Sequence, residues 1–318
     1  MDCHLTSKKE GHDLYFLVAP LSALLVFLLL FSGCANRVPV AGVSGNVKPF
    51  PTGTIIDTAT GQKISFEEMM ENLSAVRVVY VGESHTNIRH HEIQLEILKG
   101  LNSLRPDIIV GMEMFAQPYQ EVLSHWVEGR LSEDEFLKQT HWYANWRFDF
   151  SLYREQLVYI REHGIPLVGL NIEFHIPSKI AAGGIDSLLP YQKEQVPDHI
   201  DLSNVDHREY VRGVYEKHAE HITARYEFEN FYAAQVVWDE AMAEAISRYL
   251  KGRVIVVFAG KGHIIYDFGI PSRAYTRTGV EYRTVIPVAA GEPIDFSIAD
   301  YLWVTDSSSG HGHFSDIH

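Results

Sequence analysis

Two similar tetrapeptides carry the side chains best suited to chemistry in this 318-residue chain. They are GESH at 82–85 and GKGH at 260–263, and each follows an apolar run rich in Val and Ile. Such a run is typical of a buried parallel strand, and a glycine just after it lets the chain turn sharply. His85 and His263 would then lie at the carboxyl edge of the sheet, where open α/β sheets bind ligands. The pattern predicts one pocket built from both ends of the chain.

Other strand ends deliver polar groups to the same edge. Glu113 follows an apolar run at 108–112, Asn171 follows one at 167–170, and Glu83 belongs to the first tetrapeptide. Carboxylates and imidazoles can hold a divalent metal and lower the pKa of its bound water, and they can also act as acid and base without a metal. The pocket candidates are Glu83, His85, Glu113, Asn171 and His263, and the metal-ligand candidates are Glu83, His85 and His263.

A purely structural role is the alternative for these groups. A buried charge is costly unless it is paired, so Glu83 and Glu113 would pair with Arg273, Arg89 or a histidine and only fix the loops. The neighbouring residues 90–92 (HHE) point in different directions on a helix, which predicts a solvated face. His218 and His221, three residues apart on a predicted helix, have the spacing of an ordinary surface pair.

The elements that must position these residues alternate between strand and helix. Strands are predicted at 76–81, 108–112, 167–170 and 254–259, with a last one at 282–287, antiparallel at an edge. Helices are predicted at 88–104, 117–128, 132–139 and 150–162. This alternation predicts an α/β fold with a mainly parallel sheet flanked by helices. A hairpin is predicted within 54–65. Residues from about 176 to 250 show only helical patterns and predict a smaller helical subdomain inserted before the last core strand.

Composition narrows the class of protein. The chain is 46% hydrophobic and 21% charged, which is typical of a globular protein. Its net charge of −14 argues against a nucleic-acid partner, because phosphates require Lys and Arg.

The N-terminus has the pattern of a secretory signal. An apolar run from Leu14 to Gly33 precedes Cys34, as in a lipoprotein whose cysteine is acylated after cleavage. An uncleaved membrane anchor is the alternative, because about twenty apolar residues can span a bilayer. Either way the folded body lies outside the cytoplasm. The predicted segments are a signal peptide at 1–33, a tether at 34–52, a folded domain at 53–296 and a polar tail at 297–318.

The predicted helical insertion is rich in tyrosine. Tyr210, Tyr215, Tyr226 and Tyr232 recur along an amphipathic stretch, and their usual role is half-buried packing with the hydroxyl outward. A sharper hypothesis is that one phenolate ligates ferric haem.

Several segments in order resemble the ChaN family of haem-binding bacterial lipoproteins. They are GESHTNIRHHEIQLEIL, GMEMF, FSLYREQLVYIREHGIPLVGLN, QVVWDEAMAEAI and VVFAGKGHIIYDFGIPSR. The resemblance implies a dimer that sandwiches two haems, each iron held by a tyrosine; position in the insertion makes Tyr210 and Tyr215 the candidates. It also implies a role in iron uptake, a lipid anchor in the outer membrane facing the periplasm, and an outer-membrane haem receptor as partner.

The tetrapeptides and the intervening glutamate also resemble the wider superfamily of TIKI metalloproteases and erythromycin esterases. The alternative function, in keeping with this likeness, is a hydrolase in which a divalent metal or an acid/base set at Glu83, His85, Glu113 and His263 cleaves an amide or ester. Asn171 or Arg273 would then steady the oxyanion.

Overall fold

A computed structural model describes residues 50–217 and 226–306. The predicted signal peptide, Cys34, His218, His221 and residues 307–318 lie outside this part of the chain. The strands are β1 (Ile55–Asp57), β2 (Gln62–Ile64), β3 (Val78–Glu83), β4 (Ile108–Ala116), β5 (Leu167–Asn171), β6 (Val254–Gly260), β7 (Tyr282–Ala289) and β8 (Tyr301–Thr305). The helices are α1 (Phe66–Ser74), α2 (Ile88–Leu104), α3 (Gln120–Val127), α4 (Glu133–Gln139), α5 (Trp142–Asn145), α6 (Ser151–Glu162), α7 (His175–Gly183), α8 (Pro190–Lys193), α9 (Val205–Lys217), α10 (Phe228–Leu250) and α11 (Ile270–Thr278).

The strands form one sheet in the order β2-β1-β8-β7-β3-β6-β4-β5. The six strands from β8 to β5 run parallel, which confirms the predicted α/β class with a mainly parallel sheet. The predicted hairpin within 54–65 is also confirmed, because β1 and β2 pair antiparallel at the other edge. A capping box between Ser65 and Glu68 starts the helix that follows it.

The prediction for β7 is wrong in both direction and place. This strand is parallel to β3 and lies inside the sheet, between β3 and β8. The cause is α11, which carries the chain back across the sheet after β6. A strand–helix–strand crossover of this kind returns the next strand parallel to the first.

The predicted polar tail at 297–318 also begins too early. Residues 301–305 form β8, which pairs with β7 on one side and with β1 on the other. All five of its residues are buried, so the folded domain continues past the predicted boundary at 296. A five-residue apolar run without alternation carries little periodic signal, because both of its faces are covered.

Helices cover both faces of the sheet. Alternate residues of each strand enter opposite cores; in β3, Val79 and Val81 face one core, and Val78 and Tyr80 face the other. The first core takes side chains from α1, α2, α3, α4 and α6, and the second takes them from α7, α10 and α11. Strands buried on both faces require such continuous apolar runs.

The predicted insertion at about 176–250 is helical, and its longest helix is part of the main body. α10 contributes many buried residues to the second core. A third, smaller cluster joins α9 to the start of α10 through Val211, Phe228, Phe231, Tyr232 and Val236. In the described ranges, no helix has the length and apolar character needed to cross a membrane.

Candidate functional site

The sheet order brings the predicted polar residues to one edge. Glu83 ends β3, Gly260 ends the adjacent β6, Glu113 lies near the end of β4 and Asn171 ends β5. Since these four strands are neighbours and parallel, their carboxyl ends meet at the same edge. The five pocket candidates are all buried, with Glu83 only 1% exposed.

Asn171 shapes the backbone of this edge. The register of β4 against β5 shifts between Met112 and Ala116, so β4 carries a bulge around Glu113. The Asn171 side-chain amide donates to the Glu113 carbonyl oxygen at 3.1 Å. A Cβ at Gly169 would lie 2.9 Å from the Ala116 carbonyl oxygen, so the bulge also requires a glycine opposite it. Asn171 thus holds the strand that carries Glu113.

The first pair at the edge is Glu83 with His85. The His85 Nδ1 lies 2.6 Å from a Glu83 carboxylate oxygen, and the Tyr153 hydroxyl donates to the same oxygen at 3.3 Å. The other oxygen lies 3.5 Å from His91 Nε2. Burial would raise the pKa of Glu83, but His85 and His91 outweigh it and lower that pKa.

The predicted solvated face at His90 and His91 is wrong. Both side chains are buried, because α2 packs against α6 as well as against the sheet. The Gln156 amide of α6 donates to the His91 carbonyl oxygen at 2.9 Å, and the Ser84 backbone N–H donates to His90 Nδ1 at 2.9 Å. Burial lowers the pKa of His90 to about 3.

The second pair is Glu113 with His263, extended by Asp239, a residue that sequence reasoning missed. The His263 Nε2 lies 3.3 Å from Glu113, and its Nδ1 lies 2.6 Å from Asp239 on α10. Burial alone would lower the pKa of His263, but Glu113 and Asp239 outweigh it and raise that pKa to about 10. At neutral pH His263 is therefore an imidazolium between two carboxylates. The only sequence signal for Asp239 was that it and Glu240 lie within an otherwise apolar helical stretch at 236–243.

The two pairs meet at Gly260. Its backbone N–H donates to Glu113 at 2.6 Å, and a Cβ at this position would lie 2.8 Å from His85 Cε1. The structure therefore brings His85 and His263 to the two sides of Glu113. Gly260 has φ −54, which any residue adopts, so close packing and not a special backbone angle explains the glycine. Gly82 is similar, since a Cβ there would overlap Ile286.

Aromatic rings cover both pairs. We call Trp146, Phe148, Phe174 and Trp238 the aromatic lid. The His85 ring centroid lies 4.8 Å from those of Trp146 and Phe148, and the His263 ring lies 5.7 Å from Trp238. Phe174 bridges the two sides, at 5.7 Å from Trp146 and 5.8 Å from Trp238.

This geometry decides what the edge can do. Of the candidate metal ligands, Glu83 and His85 bond to each other, whereas His263 pairs with Glu113 and Asp239. No group of three or more His, Cys, Asp or Glu suited to a metal occurs within 50–217 and 226–306. His263 has a carboxylate at each ring nitrogen, Glu113 at Nε2 and Asp239 at Nδ1, which favours its protonated form. The two carboxylates pair with histidines, as one of the structural alternatives predicts.

Arg273 and Arg89 have other partners. The Arg273 Nε lies 3.2 Å from Glu240 on α10, and Arg89 pairs with Glu92 and Glu96. Neither arginine bonds to Glu83 or Glu113 in any contact of the described residues. The carboxylates of Glu83 and Glu113 are thus engaged by histidines and not by these two arginines.

The two candidate haem ligands lie on α9, in a different setting. The Tyr215 hydroxyl donates to the Tyr226 carbonyl oxygen at 2.7 Å. The half-buried Tyr210 ring lies 5.8 Å from Tyr266 and 6.2 Å from Phe268, and its hydroxyl has no hydrogen-bond partner within the ranges that the structure describes. Burial raises the pKa of Tyr210.

Tyr266 is a further aromatic residue that sequence reasoning did not single out. It has a left-handed φ of 56, its hydroxyl donates to Asp295 at 3.1 Å, and its ring stacks on Phe268 at 5.2 Å. Burial raises the pKa of Tyr266 to about 12. Its only sequence signal was its place three residues after His263.

Comparison with known proteins places this fold in a family. The model of the family described as "Haem-binding uptake, Tiki superfamily, ChaN" matches residues 69–274, more than half of the chain. The chain therefore belongs to the haem-binding uptake (ChaN) family of the Tiki superfamily. Among the curated proteins, none matches it significantly.

Solved structures share the fold. ChaN of Campylobacter jejuni, whose structure shows cofacial haem binding, is 20% identical, with a TM-score of 0.66 over 80% of this chain and 96% of its own. An erythromycin esterase mutant in its open conformation is 14% identical, with a TM-score of 0.45 over 76% of this chain and 77% of its own. At 20% identity, the likeness to the Campylobacter jejuni protein concerns the fold.

Proposed function

We propose that this protein binds haem and that Tyr210 on α9 is an iron ligand. The observation that carries the proposal is membership of a haem-binding family over residues 69–274. The cofacial haem complex of the Campylobacter jejuni relative supports it.

The residues around Tyr210 fit such a ligand. A phenolate is a hard anionic donor suited to ferric iron, and haem supplies that iron centre when it is bound. Tyr210 is half-buried beside Tyr266 and Phe268, rings against which a flat apolar macrocycle can pack. Because burial raises the pKa of Tyr210, binding must displace a phenolic proton. Tyr215 is the weaker candidate, since it would first have to give up its bond to Tyr226.

We further propose that two copies enclose two haems and that the protein serves haem uptake at the cell envelope. The cofacial arrangement of haem in ChaN of Campylobacter jejuni supports the paired binding, and the family description includes uptake. The apolar run from 14 to 33 before Cys34 supports a lipid anchor in the outer membrane facing the periplasm, with an outer-membrane haem receptor as partner.

Hemin titration of the mature protein tests the binding proposal. We expect a Soret band that saturates at one haem per chain, together with a doubling of the solution mass. Tyr210→Phe should weaken the band more than Tyr215→Phe does. The matched control is Tyr249→Phe, because the Tyr249 hydroxyl contacts Gln120 beside β5. This variant should bind hemin as the wild type does. An unchanged hemin spectrum in the wild type would contradict the proposal.

The hydrolytic alternative has no supporting observation. An imidazole acts as a general base only through an available lone pair, and both nitrogens of His263 face carboxylates, those of Glu113 and Asp239. His85 is buried under Trp146 and Phe148. The edge is better suited to fixing loops than to activating water.

The lipid anchor has its own test. Mass spectrometry of the membrane fraction should find an acylated N-terminal Cys34, and Cys34→Ser should release the protein from the membrane. An intact N-terminus that still carries residues 1–33 would instead support the uncleaved anchor.

A further inference from the structure

His207 occupies an unusual place between three elements. It lies on α9 and is fully buried, with its Nδ1 3.4 Å from an Arg273 nitrogen on α11. Its Nε2 lies 3.7 Å from the second carboxylate oxygen of Asp239 on α10. The other oxygen of Asp239 bonds to His263. The contacts that His207 makes between α9, α10 and α11 are therefore continuous with the network at the sheet edge.

The charges around His207 fix its protonation state. The guanidinium of Arg273 can only donate, so Nδ1 must accept and the imidazole proton must reside on Nε2. A second proton would put an N–H on Nδ1, opposite the N–H groups of Arg273. The contacts of His207 with Arg273 and Asp239 therefore require a neutral imidazole.

Within residues 50–217 and 226–306, the charged and titratable groups that face His207 are Asp239, Arg273, His263 and Tyr232. Asp239 favours the charged imidazole, whereas Arg273 and His263 disfavour it. The centroid of the Tyr232 ring on α10 lies 5.5 Å from that of the His207 ring, and the centroid of the Phe268 ring lies 6.0 Å from it. Burial is the largest effect and, with Arg273 and His263, it lowers the pKa of His207 to about 4.

Arg273 has little freedom to move away. Its guanidinium pairs with Glu240 at 3.2 Å and donates to the carbonyl oxygens of Gly269 at 3.2 Å and Asp201 at 3.4 Å. Protonation of His207 would therefore oppose its contact with Arg273 and weaken the attachment of α9 to α11. α9 also contacts α10 through the small cluster around Val211 and Phe228, and Arg208 pairs with Glu229 and lies over the Phe228 ring.

We propose that His207 is an acid-opened latch, which holds α9 against α10 and α11 in its neutral form and releases the helix when it is protonated. Tyr210 lies one turn further along α9. If Tyr210 holds haem, which rests on the proposed function above, the latch couples acidification to haem release.

The size of the effect follows from proton linkage. A freed histidine has a pKa of about 6.5, and the latched one about 4. Between pH 7 and pH 5 the opening equilibrium of α9 should therefore rise about 20-fold. His207→Asn removes the titration, and its side-chain oxygen can still accept from Arg273.

Hydrogen exchange of the α9 amides tests the latch. The ratio of wild-type to His207→Asn opening should rise about 20-fold from pH 7 to pH 5, whereas the exposed control His175→Asn should follow the wild type. Equal pH dependence in wild type and His207→Asn would overturn the proposal.

NMR titration of the wild-type histidines provides a test that needs no variant. His207 should remain neutral in the latched form down to pH 5, and its titration should accompany loss of α9 protection. Titration near pH 6.5 with α9 still protected would overturn the latch.

The hemin-loaded protein separates this inference from the proposed function. Acid loss of the Soret band that is slowed by His207→Asn supports both. If α9 opens at pH 5 while the Soret band persists, the latch stands and the assignment of haem to Tyr210 fails.

Discussion

The sharpest prediction concerns Gly260, where the two halves of the site meet. In Gly260→Ala the new methyl carbon would lie 2.8 Å from His85 Cε1 and 3.2 Å from Nε2. His85 cannot withdraw easily, because Glu83 holds its Nδ1 at 2.6 Å and Trp146 and Phe148 pack on its ring. The new methyl group would therefore meet a ring that is held in place, and not the flexible end of a side chain.

The free-energy change can be estimated from these contacts. Overpacking a rigid core costs about 1–3 kcal/mol, and weakening a buried hydrogen-bonded pair costs about 1–3 kcal/mol more. Alanine in place of glycine at an accessible backbone angle returns about 0.4–1 kcal/mol. We expect the free energy of unfolding of Gly260→Ala to fall by about 2–4 kcal/mol.

Urea denaturation of Gly260→Ala and Gly262→Ala measures this difference. Gly262 lies two residues away, and a Cβ there would meet nothing within 4 Å, so its substitution should raise stability by about 0.4–1 kcal/mol. If the two variants have the same stability, His85 is not held against Gly260 and the picture of a rigid junction fails.

Three further predictions concern charge and helix stability. The folded pKa of His263, about 10, exceeds the unfolded value of about 6.5. Its contribution to the free energy of unfolding is therefore complete below pH 6.5 and is lost as the pH rises towards 10. Urea denaturation should show this loss, and His263→Gln should abolish it. The folded pKa of Glu113 is lowered to about 2, so its stabilisation is present above about pH 4.5 and disappears as the pH falls to 2. Glu113→Gln should reduce this loss of unfolding free energy at low pH. An unchanged loss would contradict the pairing of Glu113 with His263. Gly213 lies inside α9, and a Cβ added there would meet nothing within 4 Å. Gly213→Ala should therefore raise the free energy of unfolding by about 1 kcal/mol. A loss of stability in calorimetry would argue against a helix at this position.

The sequence by itself determined the main parallel strands and the carboxyl edge on which Glu83, Glu113, Asn171 and His263 lie. This was possible because apolar runs buried on both faces and the glycines after them are local signals. The direction of β7 and the existence of β8 were decided by the crossover of α11 and by pairing with β1, which are contacts between distant parts of the chain.

The partners of the charged groups also depended on the tertiary structure. The sequence predicted a solvated His91, but α6 covers it. Asp239 and His207 were not predicted at all: α10 brings Asp239 to His263, and α9 places His207 beside Asp239. A side chain's pKa and role depend on burial and on charges within a few ångströms. Those distances are set by packing between elements far apart in the sequence, and so only the folded chain determines them.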